Sequence, residues 1–250
     1  MTTKTYIISG AGSGIGRAIT QKLASQNHTC ILVGRTESSL KETLETLSGS
    51  NHQILVADIR DKNQLEKAAS KLNASFIDGI IGNSGVGGEN YWGENDRWDE
   101  IIGTNLTGTY NLVNTFFPML KEASAEKHIL IISSVLARLG VANYSAYCAS
   151  KAGLLGLMRS WAVQFAAQNI LVNAICPGWV DTEMSQTGLQ GIADGIGISK
   201  DEFYKIAMQS VPLNRMSQPE EIADLVAYLL SQKSITGQTI DINCGAVMNS

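Results

Sequence analysis

Short apolar runs alternate with segments of helical periodicity along nearly the whole chain. The apolar runs lie at 6–8, 30–33, 54–57, 76–81, 129–132, 170–175 and 239–242. The helical segments lie at 14–26, 38–47, 62–72, 98–122, 146–167 and 219–230. Strands that are apolar along their full length are typical of a sheet covered by helices on both faces. The alternation therefore predicts an α/β fold with a doubly wound parallel sheet of about seven strands.

The length of 250 residues suits either one large α/β domain or two ordinary ones. Because no linker or repeat interrupts the alternation, we predict a single domain over 1–250. The segment 182–212 is irregular, with several glycines set among apolar residues. Such a segment fits a mobile flap over a pocket, and its alternative is a plain surface excursion.

Composition excludes several classes of protein. The net charge is −4, and charged residues make up only 17% of the chain, which disfavours nucleic-acid or membrane-surface binding by bulk charge. Four widely spaced cysteines and three scattered histidines form no pattern of metal ligands. We therefore expect no metal, and the cysteine usage fits a reducing compartment. Without a signal-peptide core or a long apolar run, the chain is expected to be cytoplasmic and free of membrane spans.

A glycine-rich loop follows the first predicted strand and opens the first predicted helix. Its residues are Gly10, Ala11, Gly12, Ser13, Gly14, Ile15 and Gly16. Glycines let the backbone approach a pyrophosphate, and a helix N-terminus supplies N–H donors and the positive end of the helix dipole. A tight turn is the alternative, but the strand–turn–helix context favours a dinucleotide site.

The spacing of this loop, preceded by Ser9, resembles the T-G-x-x-x-G-I-G pattern of the short-chain dehydrogenase/reductase family. Tyr147 and Lys151 match the family's Y-x-x-x-K, while Ser134 and Asn105 stand where it has its catalytic serine and helix asparagine. Further matches in family order are Asn83-Ser84-Gly85, Pro177-Gly178-Trp179-Val180-Asp181-Thr182 and Ile235-Thr236-Gly237-Gln238. The resemblance covers essentially the whole chain. It implies a Rossmann-type fold, oxidoreductase activity on ketones and secondary alcohols, and a homodimer or homotetramer.

The four matched polar residues suggest acid–base chemistry. Tyr147 and Lys151 lie one helical turn apart, and a nearby ammonium is expected to lower the pKa of the phenol. Tyr147 then acts as general acid in reduction and as general base in oxidation, while Ser134 hydrogen-bonds the substrate oxygen. By resemblance, Lys151 also holds the nicotinamide ribose, and Asn105 holds a water that links Lys151 to solvent. Each residue alone has an ordinary structural alternative, but the ordered set favours catalysis.

The end of the second strand indicates the cofactor. An acidic residue there binds the ribose of NAD, whereas arginine accommodates the 2′-phosphate of NADP. Gly34 occupies the acidic position and Arg35 follows it, which favours NADP(H), although nearby Glu37 keeps NAD(H) possible. Asp58 and Ile59 resemble the family's adenine contact, and Asp58 has a helix N-cap as its alternative. The other cofactor contacts implied by the resemblance are Asn83, Gly85, Pro177, Gly178, Val180 and Thr182.

The leading functional hypothesis is a reversible ketone reductase and secondary-alcohol dehydrogenase acting on a small molecule. Its variants are a carbonyl reductase of small-molecule or hydroxysteroid type, a 3-oxoacyl-(acyl carrier protein) reductase, and a catabolic alcohol or sugar dehydrogenase. Glutamines at 164 and 168 weaken the carrier variant, because acidic carriers dock on basic patches. A non-catalytic nucleotide sensor is the alternative from another class. Candidate pocket residues, which could equally be core or interface residues, are Val86, Tyr91, Trp92, Tyr144, Trp179 and the flap segment 182–212.

Overall fold

A computed structural model of the protein describes residues 3–121 and 126–248. Its strands are β1 (Thr5–Ser9), β2 (Thr29–Gly34), β3 (Gln53–Val56), β4 (Gly79–Gly82), β5 (Lys127–Ile132), β6 (Ile170–Pro177) and β7 (Thr239–Ile242). Its helices are α1 (Gly14–Ser25), α2 (Glu37–Glu45), α3 (Lys62–Ala69), α4 (Trp98–Ile102), α5 (Gly108–Lys121), α6 (Ser145–Phe165), α7 (Glu183–Ile196), α8 (Lys200–Gln209) and α9 (Pro219–Ser231). The described strands form one parallel sheet in the order β3-β2-β1-β4-β5-β6-β7. The predicted Rossmann-type sheet is confirmed.

Helices cover both faces of the sheet. Ile7 and Ile8 are consecutive on β1 and fully buried, yet they belong to two different core clusters because strand side chains alternate between faces. One cluster packs under α3, α5 and α6, and the other packs under α1 and α9. The sheet reverses its winding between β1 and β4, where Ile8 pairs with Ile81. Ligands bind in doubly wound folds at the crevice that such a reversal opens beyond the strand ends.

Two predicted elements differ in detail. The strand predicted at 76–81 begins only at Gly79, because Phe76 is half exposed and the Ile77 N–H donates to Met119 in α5. The helix predicted at 98–122 is interrupted by a π-helical turn, Gly103–Thr107, between α4 and α5. Its predicted end at Glu122 lies outside the described residues. Single π turns inside helices are frequent at functional sites, and this one carries Asn105.

The segment predicted as irregular, 182–212, contains helices α7 and α8. Thr182 caps α7 by accepting from the Ser185 N–H, and Gly197 ends that helix with a φ of +75°. Ser199 and Glu202 form a capping box at the start of α8. The two helices bury a small apolar cluster of Leu189, Met208, Val211 and Met216. Glycines at helix positions obscured the pattern, whereas the S-x-x-E capping signature was readable from the sequence.

His128 on β5 makes the folded protein sensitive to acid. The ring is buried, its Nδ1 has no hydrogen-bond partner among the described residues, and burial lowers its pKa to about 4. In the unfolded chain, His128 has an ordinary histidine pKa of about 6.5. Between pH 4 and 6.5 the unfolded chain therefore binds a proton at His128 and the folded protein does not. The free energy of unfolding should fall as pH drops through this window, by about 3 kcal/mol at full effect.

We expect His128→Leu to flatten this pH dependence when urea unfolding is compared near neutrality and at about pH 5. His52→Leu is the matched control, because it removes an imidazole that is only half-buried. An unchanged dependence in His128→Leu would mean that other groups cause the acid sensitivity.

Candidate active site

The glycine loop lies at the crevice between β1 and β4. Gly10 and Gly14 have φ values of +66° and +48°, and a Cβ on Gly16 would lie 2.1 Å from the Gly10 carbonyl oxygen. Ser13 precedes α1 and gives it no side-chain cap, so the N–H groups of the first turn are left for an anion. The loop therefore has the close backbone approach and the donors that a pyrophosphate requires.

Two adjoining clefts open at the carboxyl ends of the strands. The larger, about 710 Å³, includes in its wall Gly10, Ser13, Gly14, Ile15, Asn83, Gly85, Ser134, Tyr147, Lys151, Pro177, Gly178, Val180 and Thr182. The smaller, about 190 Å³, is lined by residues that include Gly12, Arg35, Asp58 and Ile59. The structure thus brings together the residues predicted for catalysis and cofactor binding, except that Gly16 and Asn105 lie behind the cleft wall.

Ser9 and Asn83 fix the two strand ends that flank the crevice. The Ser9 hydroxyl accepts from the backbone N–H groups of Asn83 and Ser84, both at 3.0 Å. The Asn83 amide in turn donates to the Ser9 carbonyl oxygen at 3.0 Å. The motifs in the sequence include both residues. Their mutual hydrogen bonds join the end of β1 to the end of β4 beneath the glycine loop.

Tyr147, Ser134 and Lys151 converge in the larger cleft. The Tyr147 phenol lies beside the Ser134 side chain, whose Oγ accepts from the Leu136 N–H at 3.1 Å. Lys151 is 4% exposed, and its Nζ donates to the Ile132 carbonyl oxygen at 2.9 Å. That Nζ lies 5.6 Å from the centre of the Tyr147 ring. The hydroxyl groups of Tyr147 and Ser134 and the amine of Lys151 therefore lie together in the wall of the cleft.

Burial controls the proton affinities of this group. It raises the pKa of Tyr147 to about 12, although the adjacent Ser134 hydroxyl acts in the opposite direction. It lowers the pKa of Lys151 to about 8. The prediction that the pKa of Tyr147 would be lowered is wrong in direction, because desolvation by burial is the largest influence on the phenol. Tyr147 therefore carries its proton at neutral pH.

Asn105 connects the loop after β4 to helix α6. Its side chain exchanges two hydrogen bonds with the backbone of Val86, at 2.8 and 3.0 Å. Its amide also donates to the Ser150 hydroxyl at 3.1 Å, beside Lys151 in sequence. Asn105 is fully buried, so its side chain fixes the wall behind the cleft. The water that the resemblance assigns to Asn105 stays a prediction.

The smaller cleft contains Arg35 and Asp58, two of the residues predicted to contact the cofactor, but not Glu37. Arg35 lies in its wall and is exposed, whereas Glu37 forms an ion pair with Lys41 at 2.7 Å. Asp58 pairs with Arg60 at 2.6 Å, and hydrogen bonding to that guanidinium lowers the pKa of Asp58. The N-cap alternative for Asp58 is wrong, because Asp61 caps α3 instead.

The candidate pocket residues separate into two groups. Val86 and Tyr144 line the larger cleft, whereas Tyr91 and Trp92 are exposed and Trp179 packs against the α7–α8 cluster. Met184 and Ile192, apolar residues of the segment 182–212 that was expected to cover the pocket, also line the larger cleft. Glu89 and Arg97 line it as well, and the sequence did not mark them, because they lie in a loop where no motif identifies them. Helix α7 occupies the position predicted for the flap, and its mobility stays a prediction.

Among the described residues, no helix combines the length and apolar character needed to cross a membrane. No group of three or more His, Cys, Asp or Glu side chains in 3–121 and 126–248 is placed to hold a metal ion. All four cysteines are free thiols.

Known proteins resemble this chain in sequence and in fold. The family model described as enoyl-(acyl carrier protein) reductase matches residues 10–247. The 3-oxoacyl-(acyl-carrier-protein) reductase FabG of Thermotoga maritima is 30% identical over 98% of both chains.

Two solved structures extend the similarity to three dimensions. A short chain dehydrogenase family protein from Francisella tularensis has a TM-score of 0.86 at 28% identity, covering 98% of this chain and 99% of that one. An actinorhodin polyketide ketoreductase variant with NADPH has a TM-score of 0.92 at 27% identity, covering 98% and 97%. Family model, relatives and site geometry agree, and the chain belongs to the short-chain dehydrogenase/reductase family of oxidoreductases.

Proposed function

We propose that this protein is an NADP(H)-dependent reductase of small-molecule ketones that also oxidises the corresponding secondary alcohols. The observation that carries the proposal is the placement of Tyr147, Ser134 and Lys151 in the wall of one cleft, with the Lys151 Nζ 5.6 Å from the centre of the Tyr147 ring. A nucleotide sensor would not need these three side chains together, so the arrangement favours catalysis over sensing.

The side chains divide the acid–base work. The bound cofactor supplies the hydride. Tyr147 gives its phenolic proton to the substrate carbonyl oxygen, and Ser134 donates a hydrogen bond to that oxygen as charge develops on it. Because its pKa is about 12, Tyr147 carries its proton at neutral pH, which suits reduction. Oxidation needs the phenolate and is therefore expected to become faster as pH rises.

The cofactor fits the adjoining clefts. The backbone of the glycine loop would hold the pyrophosphate, and Arg35 would hold the 2′-phosphate with its guanidinium. Lys151 retains N–H groups beyond the one given to Ile132, and these would hold the ribose next to the nicotinamide. NAD(H) is the alternative, and the engagement of Glu37 with Lys41 weakens it.

The wall of the larger cleft favours a small apolar substrate. Apolar surface comes from Val86, Met184 and Ile192, and carboxylates come from Glu89 and Glu183. The guanidinium of Arg97 also lies there, but its charge is paired with Glu100 at 2.8 Å. An acidic carrier protein would find no unpaired basic patch on these residues. A 3-oxoacyl-(acyl carrier protein) reductase is the second candidate, supported by the full-length similarity to FabG.

A panel of ketones distinguishes the two candidates by the loss of NADPH absorbance. We expect cyclic and aryl ketones to be reduced with kcat/KM at least about tenfold above that of a carrier-linked 3-oxoacyl thioester. A short 3-oxoacyl thioester without the carrier is the matched control, because it presents the same reacting group. Faster reduction of the carrier-linked form than of the free thioester would establish the second candidate instead.

Exposed apolar side chains on α5 and α6 support the proposal of a homo-oligomer, a dimer or tetramer. Val163 on α6 is 83% exposed, and Tyr110 on α5 is 47% exposed. Burying such residues against a second copy would remove apolar surface from water.

A further inference from the structure

Helix α6 carries Tyr147 and Lys151, yet its own sequence provides no N-terminal cap. The residue at the cap position is Tyr144, which makes no capping hydrogen bond, and the first turn contains no acidic residue. Helix N-termini leave N–H groups that need acceptors. The acceptor here comes from a distant loop, because the Oδ1 of Asn90 accepts from the Ala146 N–H at 2.9 Å and from the Ser145 hydroxyl at 3.2 Å.

Asn90 is held so that this oxygen faces the helix. The residue is 3% exposed, and its backbone N–H donates to the Asn143 carbonyl oxygen at 2.7 Å. Its Nδ2 donates to Asp96 Oδ1 at 3.1 Å, and the same oxygen accepts from the Trp98 N–H at 3.0 Å. The pair of Asn90 and Asp96 therefore links the first turn of α4 to the first turn of α6.

The second link between the same elements lies deeper. Asn105 ties the Val86 end of the loop to Ser150 on α6. The loop that forms one wall of the larger cleft is thus attached to α6 at two points, at Val86 through Asn105 and at Asn90 directly. Because Ala146 immediately precedes Tyr147, loss of the outer attachment would let the phenol move relative to Ser134 and the cleft.

We propose that Asn90, held by Asp96, is a positioning residue that sets the first turn of α6 and hence the Tyr147 phenol for proton transfer. This role rests on the proposed function, in which Tyr147 is the proton donor. Misplacement of reacting groups by about 1 Å can cost up to ~10²-fold in rate. The proposal therefore predicts a defect in turnover that exceeds any defect in cofactor binding.

The first measurement compares Asn90→Ala with the unmodified protein at a temperature where both are folded. We expect kcat for ketone reduction to fall about tenfold or more, while the Kd for NADPH, read by its fluorescence, changes by less than about threefold. A general loss of folded protein would instead lower the number of NADPH sites together with activity. A kcat within about twofold of the unmodified protein would overturn the proposal.

The second measurement exchanges the two partners. In Asn90→Asp the new carboxylate faces Asp96, so we expect a defect like that of Asn90→Ala. In Asn90→Asp/Asp96→Asn the carboxylate at position 90 can still accept from Ala146 and Ser145, and the amide at position 96 can donate to it. We expect this double variant to recover kcat. Recovery of thermal stability without recovery of kcat would show that the pair only stabilises the fold, which overturns the proposal.

Amide hydrogen exchange tests the contact of Asn90 with the first turn of α6 without any need for catalytic turnover. In Asn90→Ala we expect faster amide exchange at 145–148 than in the unmodified protein, with the later turns of α6 unchanged. Unchanged exchange at 145–148 would overturn the proposal even if no ketone were reduced. Absence of ketone reduction by the unmodified protein would overturn the proposed function alone, so the two failures are distinguishable.

Discussion

Tyr147→Phe is expected to reduce kcat for ketone reduction by about a hundred- to ten-thousand-fold, the range that general acid catalysis contributes. The substitution removes the phenolic proton and keeps the ring. Lys151 keeps its bond to the Ile132 carbonyl oxygen, so the Kd for NADPH should change little. Single-turnover rates at saturating NADPH, followed by loss of absorbance, measure the chemical step directly.

Tyr144→Phe is the matched control for this loss. Tyr144 lines the same cleft and loses the same atom, but Lys151 lies over the ring of Tyr147, one helical turn away. We expect its kcat to stay within about fivefold of the unmodified protein. Equal losses in both variants, or retained reduction by Tyr147→Phe, would show that the phenol of Tyr147 is not the proton donor.

The pH dependence provides an independent test of the same residue. With a pKa of about 12, Tyr147 holds its proton through the neutral range and releases it only in strong base. Oxidation of a secondary alcohol should therefore accelerate with rising pH in the unmodified protein, and this acceleration should disappear in Tyr147→Phe.

The sheet was predictable because parallel strands buried on both faces are apolar along their full length. Ile7 and Ile8 illustrate this, since consecutive residues on β1 enter opposite cores. Helix α7 was not predictable by periodicity, because Gly188, Gly191 and Gly195 interrupt its apolar pattern. Its stability comes from the Thr182 cap and from packing on α8, which only the fold brings together.

The site was predictable only in part, for a related physical reason. Tyr147 and Lys151 are close in sequence, so their juxtaposition on a helix follows from spacing alone. Asn90 acts on Ala146 across 56 positions, and no local pattern marks such a pair. The pKa of Tyr147 depends on how much water the folded cleft excludes, which the sequence does not specify, and there the expectation based on Lys151 alone was wrong.

Arg35→Glu is expected to reverse the choice of cofactor. Arg35 lies exposed in the wall of the smaller cleft beside Gly34, where a 2′-phosphate would receive hydrogen bonds from its guanidinium. Hydrogen bonds to charged groups contribute about 1.5–3 kcal/mol, and a carboxylate at this position would additionally repel the phosphate. The same carboxylate could accept from the ribose hydroxyls of NADH.

We therefore expect kcat/KM with NADPH to fall by at least about 30-fold, and the NADPH-to-NADH ratio to fall by about 10² or more. Lys67→Glu is the matched control, because it makes a comparable change of charge on α3 outside the wall of the cleft and leaves the Glu37–Lys41 pair intact. Equal effects in both variants would assign the change to general electrostatics, and an NADH preference in the unmodified protein would exclude Arg35 as the selecting residue. If only Arg35→Glu lowers kcat/KM with NADPH, the choice between NADPH and NADH depends on one guanidinium at the end of β2. Glu37 does not make that choice, since it is already paired with Lys41.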